Sequence, residues 1–255
     1  MRNRSETGEP CRVLEWDSQF FGFRIATLMR PALDAAGMEQ VLAWCAAQRI
    51  QCLYFLSEAS DATSLRLAHE RGFRFVDVRV SYRMPVEPAR PEPPPLPSAL
   101  VRAAEARDVP ALRELAARSH VLSRFWTDEG FGRDACAELY SRWIERSCQG
   151  YADSVWVAES EGLAAGYVTC HLRDGGLGEF GLVGVDAKRK GQGLGRALVE
   201  RGLAWLRDAG CGEIGVVTQG SNVAAHRLYQ SLGFKTAQVQ YWHHLWLRRG
   251  QEARA

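Results

Sequence analysis

The segment Lys190-Gly191-Gln192-Gly193-Leu194-Gly195 sets three glycines at alternate positions, after the apolar run 179–185 and before the amphipathic Arg196-Ala197-Leu198-Val199-Glu200. Glycines leave successive backbone N–H groups unobstructed. At the start of a helix those donors meet the positive end of the helix dipole, so an anion, a diphosphate in particular, finds both together. A glycine-rich turn is equally a plain tight turn, and the reading needs support further along the chain. Asn222 and Tyr229 give it. Seven residues apart, they lie two helical turns from each other and leave from one face, an amide and a phenol. The bland alternatives are a helix N-cap for Asn222 and a core aromatic for Tyr229.

Other reactive side chains are scattered. Glu179, His171 and His120 are the groups able to take a proton from an amine, and none stands out. Trp242-His243-His244 offers two imidazoles without a third ligand, so no metal site is expected. The 7 cysteines are dispersed with no CxxC pair, which speaks against a disulfide framework and for reduced, buried thiols in the cytoplasm.

Composition narrows the class. The 255 residues suffice for one large domain or two small ones, and 46% hydrophobic with 24% charged residues is ordinary for a soluble globular chain. A net charge of +2 gives no electrostatic case for nucleic acid or a membrane surface as partner. Residues 1–10 are polar, unlike a signal peptide, and no apolar run approaches the ~20 residues of a membrane span.

The elements that must position these groups follow from periodicity and punctuation. In residues 85–97, 7 of 13 are proline, which predicts a stiff extended linker between residues 1–84 and 99–255. Before it the pattern predicts strands at 11–15 and 21–28, a helix over 35–48 with Val41, Leu42, Trp44 and Cys45 buried, a strand at 51–56, a helix over 62–71 closed by Gly72, and strands through 73–84. After it come a strand at 100–103, a helix over 109–119 capped by Asp108 with Pro110 in its first turn, and a helix over 133–147. A hairpin (154–159 and 163–172), the strand–glycine loop–helix unit, a strand at 213–218, a helix over 223–231 and a final pair of strands in 234–247 complete the chain.

The chain also echoes itself. Displaced by 161 residues, the segment 60–78 matches 221–239 at Ser60/Ser221, Arg66/Arg227, Leu67/Leu228, Gly72/Gly233, Phe73/Phe234 and Val78/Val239. Asp61 and Ala68 stand where the second copy has Asn222 and Tyr229, and the first copy lacks a glycine loop. Two halves of one fold are expected, with the chemistry kept only in the second.

From about residue 99 to 247 the chain resembles the GNAT superfamily of acyl-CoA-dependent N-acyltransferases. The resemblance rests on the opening 100–112, the strand 181–185, the loop 190–195 and the segment 221–234, in the family's order. It implies an α/β fold of two GNAT-like halves, each a mixed, mostly antiparallel twisted sheet flanked by helices, the N-terminal half degenerate. It implies acetyl-CoA as co-substrate, its diphosphate over Lys190, Gly191, Gln192, Gly193, Leu194, Gly195 and Arg196. Its pantetheine arm would pair with the main chain around Val183, Gly184 and Val185 and touch Asn222. Tyr229 would protonate the departing thiolate. Lys190 departs from the family's Arg or Gln at that place, keeping the charge but losing the planar fork.

Further motifs, Leu14-Glu-Trp-Asp-Ser-Gln-Phe-Phe-Gly22, Ser123-Arg-Phe125, 140–145, 218–222 and 227–230, resemble bacterial acetyltransferases of dTDP-linked amino sugars. That implies transfer of acetyl to the 4-amino group of dTDP-4-amino-4,6-dideoxy-D-galactose for a surface polysaccharide. The family builds its acceptor wall in the region of 120–131, which implies Arg124 for the sugar nucleotide's diphosphate, Phe125 for stacking and Glu179 near the amine. Family members often let ordered water carry the proton away, so no base is named. The alternatives are a GNAT enzyme acting on another amine (another nucleotide sugar, a protein N-terminus or a small amine) and a non-catalytic acyl-CoA-binding module. A homodimer is left open.

Overall fold

A computed structural model describes residues 8–30, 32–86 and 101–247. Its first elements are β1 (Cys11–Val13), α1 (Glu15–Phe21), β2 (Ile25–Leu28), α2 (Ala35–Ala47), β3 (Cys52–Glu58), α3 (Ala62–Glu70) and β4 (Arg74–Pro85). They are followed by β5 (Val101–Ala103), α4 (Val109–Ser119), α5 (Arg124–Thr127), α6 (Arg133–Arg146), β6 (Ser154–Ser160) and β7 (Leu163–Arg173). The last are β8 (Leu177–Val185), α7 (Leu194–Asp208), β9 (Glu213–Gln219), α8 (Val223–Ser231) and β10 (Lys235–Trp246). Residues 87–98 of the proline linker lie outside the described residues.

Two compact units result. The first comprises Met1–Arg79, Thr127–Phe131 and Val239–Ala255; the second comprises Val80–Trp126 and Gly132–Gln238. Strands β4 and β10 therefore each begin in one unit and end in the other. In the first unit β1 pairs antiparallel with β2, β2 parallel with β3, and β3 antiparallel with β10 from Cys52↔Trp246 to Glu58↔Gln240. Met38, Val41 and Cys45 of α2 pack with Leu53 and Phe55 of β3 in one buried cluster. Each such apolar side chain contributes about 1.5–3 kcal/mol by leaving water. Leu42 and Trp44 are only partly buried.

The second unit orders its strands β4-β9-β8-β7-β6-β5. All neighbours from β5 to β8 are antiparallel, while β8 and β9 run parallel, with α7 as the crossover between them. Helix α7 buries Leu194, Ala197, Leu198, Val199, Leu203 and Leu206. The fold is thus mixed α/β, mostly antiparallel, with helices on the sheet. Among the described residues no helix is long and apolar enough to cross a membrane.

The internal echo is structural. Adding 161 to the bounds of β3, α3 and β4 gives those of β9, α8 and β10. Both helices close alike, with Gly72 at φ 79° and Gly233 at φ 96°, and with Phe73 N–H donating to Ala68 C=O (2.9 Å) and Phe234 N–H to Tyr229 C=O (3.0 Å). Both also have parallel strands on either side of a crossover helix, β2-α2-β3 in one and β8-α7-β9 in the other.

Three local expectations are corrected. The strands expected at 11–15 and 21–28 are shortened to 11–13 and 25–28 by helix α1 between them; Glu15 and Asp17 favour its N-terminus, Trp16 stacks on Phe20 (5.2 Å), and Gly22 at φ 78° ends it. The segment 235–246 is one strand rather than two, since no turn residue interrupts it. Asp108 does not cap α4 through its side chain. Its carboxylate instead accepts from Glu105 N–H (2.8 Å) and Arg102 (2.7 and 2.8 Å), and the bonds from Arg102 hold it below the usual carboxylate range.

Candidate active site

Strand β8 creates an opening. Its parallel pairing with β9 runs only from Leu177↔Glu213 to Phe180↔Val216. Its other edge stays on β7 with one break: Val168↔Val183 and Cys170↔Phe180 enclose Thr169 on β7 but Gly181 and Leu182 on β8. This β-bulge bends the strand. The Thr169 hydroxyl pins it by accepting from Leu182 N–H at 2.8 Å. Glycine is required at 181, where a Cβ would come to 2.5 Å from His171 Nε2 and 2.7 Å from Thr169 Oγ1.

Past the bulge, Asp186 N–H donates to Ala165 C=O at 2.8 Å. Antiparallel pairs alternate between bonded and non-bonded. Gly184 therefore bonds to Tyr167, and the main-chain groups of Val183 and Val185 face away from β7, toward the side where β9 is no longer paired. An extended ligand can add there as a strand does.

The glycine loop reaches the same place. Gly191 and Gly193 adopt φ 82° and 79°, a conformation costly for other residues. Gly193 is the N-cap of α7 and brings no capping side chain. The first bond of the helix is Ala197 N–H to Gly193 C=O (3.0 Å), so the amides of Leu194, Gly195 and Arg196 lack partners within it. A Cβ on Gly195 would lie 3.7 Å from Val185 and 3.6 Å from Leu228, which brings strand, loop and α8 together. Lys190, Gly191, Gln192 and Gly193 are exposed. The Arg196 guanidinium is held by Glu200 (3.1 Å) and Ser231 (2.7 Å), leaving its amide as its contribution to the loop. The uncapped amides and the opened strand fit the diphosphate and extended arm of acetyl-CoA. In the first half the corresponding helix α2 is capped by Asp34, whose carboxylate accepts from Gly37 N–H at 2.7 Å. There the chain's own anion takes the position.

Tyr229 on α8 is 3% exposed, its ring 5.8 Å from Phe234 and 6.0 Å from Tyr82. Burial raises its phenol above the ordinary value, which keeps the proton on oxygen as a donor requires. Asn222 caps α8, its Oδ1 accepting from Ala225 N–H at 3.2 Å. Two residues without a spacing signal in the sequence join them. His226 Nε2 donates to Gly220 C=O (3.1 Å), which leaves Nδ1 to accept from the Tyr82 hydroxyl (2.8 Å). This chain fixes the turn that precedes α8.

The remaining candidates are more spread out. Arg124 opens α5, its guanidinium 4.2 Å from the centre of the Phe125 ring. Phe125 is 3% exposed and packs edge-on to Trp143 at 6.2 Å. Glu179 lies in the closed part of β8, before the bulge, with its carboxylate on Arg173 at 2.8 Å. His171 is buried beside Thr169, and burial lowers its pKa. His120 meets the Tyr167 hydroxyl at 2.7 Å and stacks on Tyr140. His244 is bonded to Asp128 at 2.6 Å in the first unit, and no group of three metal-ligating side chains occurs among the described residues.

Known proteins resemble this chain over much of its length. The model of the acetyltransferase (GNAT) family matches residues 110–234. The chain is 27% identical over 236 residues to the dTDP-fucosamine acetyltransferase of Escherichia coli O6:H1 (strain CFT073), across 90% of this chain and 95% of that one. It is 30% identical over 150 residues to the spore coat polysaccharide biosynthesis protein SpsD of Bacillus subtilis (strain 168), across 59% of this chain and 51% of that one. The GCN5-related N-acetyltransferase structure from Sphaerobacter thermophilus shares the fold at TM-score 0.64 and 18% identity, covering 95% of this chain and 78% of its own. Residues 110–234 are therefore an acetyltransferase domain of the GNAT family, and the protein is an acetyl-CoA-dependent N-acetyltransferase.

Proposed function

We propose that this enzyme transfers acetyl from acetyl-CoA to the 4-amino group of a dTDP-linked 4-amino-4,6-dideoxy sugar, dTDP-4-amino-4,6-dideoxy-D-galactose above all, in the cytoplasm, for a surface polysaccharide. Residues 99–255 carry the catalytic half and 1–84 the degenerate one, linked through 85–98. The reaction type rests on one observation: the bulged, opened end of β8 lies against the uncapped start of α7 and against α8, which bears Tyr229. The sugar rests on the similarity to the E. coli enzyme, which runs through nearly the whole of both chains.

The amides of Gly193–Arg196 and the Lys190 ammonium hold the diphosphate, and the Val183 and Val185 main chain aligns the pantetheine arm as an added strand. Asn222, besides capping α8, turns its amide nitrogen toward that arm. The sugar amine attacks the thioester carbonyl, a C–N bond forms, and the C–S bond breaks. Tyr229 gives its proton to the departing sulfur. Arg124 binds the nucleotide diphosphate, with Phe125 beneath it as packing, and Glu179 borders the amine through the strand it shares with the bulge.

Thiol release from acetyl-CoA, followed across a panel of dTDP- and UDP-linked amino sugars and simple amines, tests this reading. The largest kcat/KM is expected for the dTDP-linked 4-amino sugar, with an N-acetylated product by mass spectrometry. A polyamine or peptide N-terminus as the best acceptor would overturn the substrate.

A further inference from the structure

The acetyl transfer just described leaves one step without a residue, the loss of the proton from the attacking nitrogen. We propose that His120 takes that proton as the amide forms, and that Tyr167 is the positioning residue that holds the imidazole at the opened end of β8.

The placement comes from three contacts. Gly184 stands directly opposite Tyr167 in the β7–β8 register. A Cβ on Gly184 would lie 2.7 Å from Tyr167 Cζ and 2.8 Å from its oxygen, so the missing side chain is what lets the phenol lie over β8 between Val183 and Val185. His120 Nε2 meets that oxygen at 2.7 Å, and the imidazole stacks on Tyr140 of α6, ring centres 4.4 Å apart and planes 15° from parallel. His120 directly follows α4 and precedes the Arg124 segment assigned to the acceptor.

Its other nitrogen is available. His120 is half-buried and Nδ1 makes no hydrogen bond among the described residues, so in the tautomer whose Nε2–H donates to the Tyr167 oxygen Nδ1 keeps the lone pair that takes the proton. The Nδ1 atoms of His171 and His243, by contrast, are sealed off from solvent. Glu179, the carboxylate rival, is engaged by Arg173 at 2.8 Å.

The chemistry balances. The amine's lone pair makes the C–N bond, and the C–S electron pair leaves on sulfur, which receives the Tyr229 proton. Nitrogen then holds one hydrogen too many for an amide and passes it to the imidazole. The imidazolium returns its proton to water, and the Tyr229 phenolate takes one back.

Burial pushes the His120 pKa down to about 4. The groups packed around it are Tyr140, Tyr167 and, beside Tyr167, Cys148; burial pushes Tyr167 and Cys148 up, so neither adds charge at neutral pH. The imidazole is thus unprotonated and ready. It remains basic enough, because an N-protonated amide is a far stronger acid than this imidazolium, and its low pKa speeds release to water.

The test uses full-length protein with acetyl-CoA and whichever panel amine the wild type turns over fastest, so that a wrong sugar does not decide it. His120→Ala is expected to lower kcat about 100-fold, with KM for acetyl-CoA within about twofold of wild type and with added imidazole restoring much of the loss. His120→Gln, which can still bond to Tyr167 but cannot take a proton, should lose kcat to the same degree. Tyr167→Phe should lose about tenfold in kcat and gain nothing from imidazole. Retention of more than about a tenth of wild-type kcat by His120→Gln overturns the proposal. So does a loss in His120→Ala that imidazole leaves untouched.

Discussion

At the scale of single residues, the site depends on where protons are kept. Tyr229 stays a phenol because it is buried between the rings of Tyr82 and Phe234, and a core aromatic was the alternative its sequence left open. The packing of a core aromatic is there, and the same burial keeps the proton that a donor would need. Replacing Tyr229 with Phe keeps the packing and removes the donor. Turnover should fall about 100-fold while acetyl-CoA binds within about twofold of wild type. Unaltered kcat by steady-state kinetics would remove Tyr229 from the mechanism. Asn222 was legible as a cap from its place before an apolar helix, and it is one. Tyr82, Thr169 and Tyr167 were not legible. Their roles arise from cross-strand and strand–helix contacts that bring together residues without any regular spacing in the chain.

At the scale of elements, glycine carries two different duties. At Gly191 and Gly193 it supplies a left-handed backbone conformation in the loop whose open amides the alternate spacing had suggested. At Gly181 and Gly184 it yields space to side chains from β7, and two glycines in an otherwise apolar strand are compatible with the bulge found there. A methyl group at 181 would strike His171 and Thr169 and disturb the bulge that opens β8. Gly181→Ala should cost about 1–3 kcal/mol in denaturant unfolding. Gly195→Ala, whose Cβ would make ordinary contacts at 3.6 and 3.7 Å, should stay within about 0.5 kcal/mol of wild type. Equal stability of the two variants would contradict the bulge as described. The helix at 15–21 was missed because a seven-residue helix between two strands is too short to show a period, and its pairing of Trp16 with Phe20 across one turn is visible only once the chain is folded.

At the scale of the whole molecule, the 161-residue echo was readable as a repeated strand–helix–strand pattern, and its element bounds coincide in the structure. The long-range pairing within the first unit was not readable. Strand β3 finds its antiparallel partner in β10, 182 positions along the chain at Glu58↔Gln240, and no local pattern specifies so distant a pairing. The two halves also differ in one decisive charge. Helix α2 is capped by the Asp34 carboxylate, whereas α7 begins at Gly193 with its amides uncapped. One acetyl-CoA site per chain is therefore predicted, in the second half. Calorimetric titration of the full-length protein with coenzyme A, repeated on Gly193→Asp, tests this most directly. A stoichiometry of one per chain is predicted, with affinity reduced more than about tenfold when the carboxylate is introduced at the start of α7. No heat with the wild-type protein, two sites per chain, or undiminished affinity in Gly193→Asp would contradict the account.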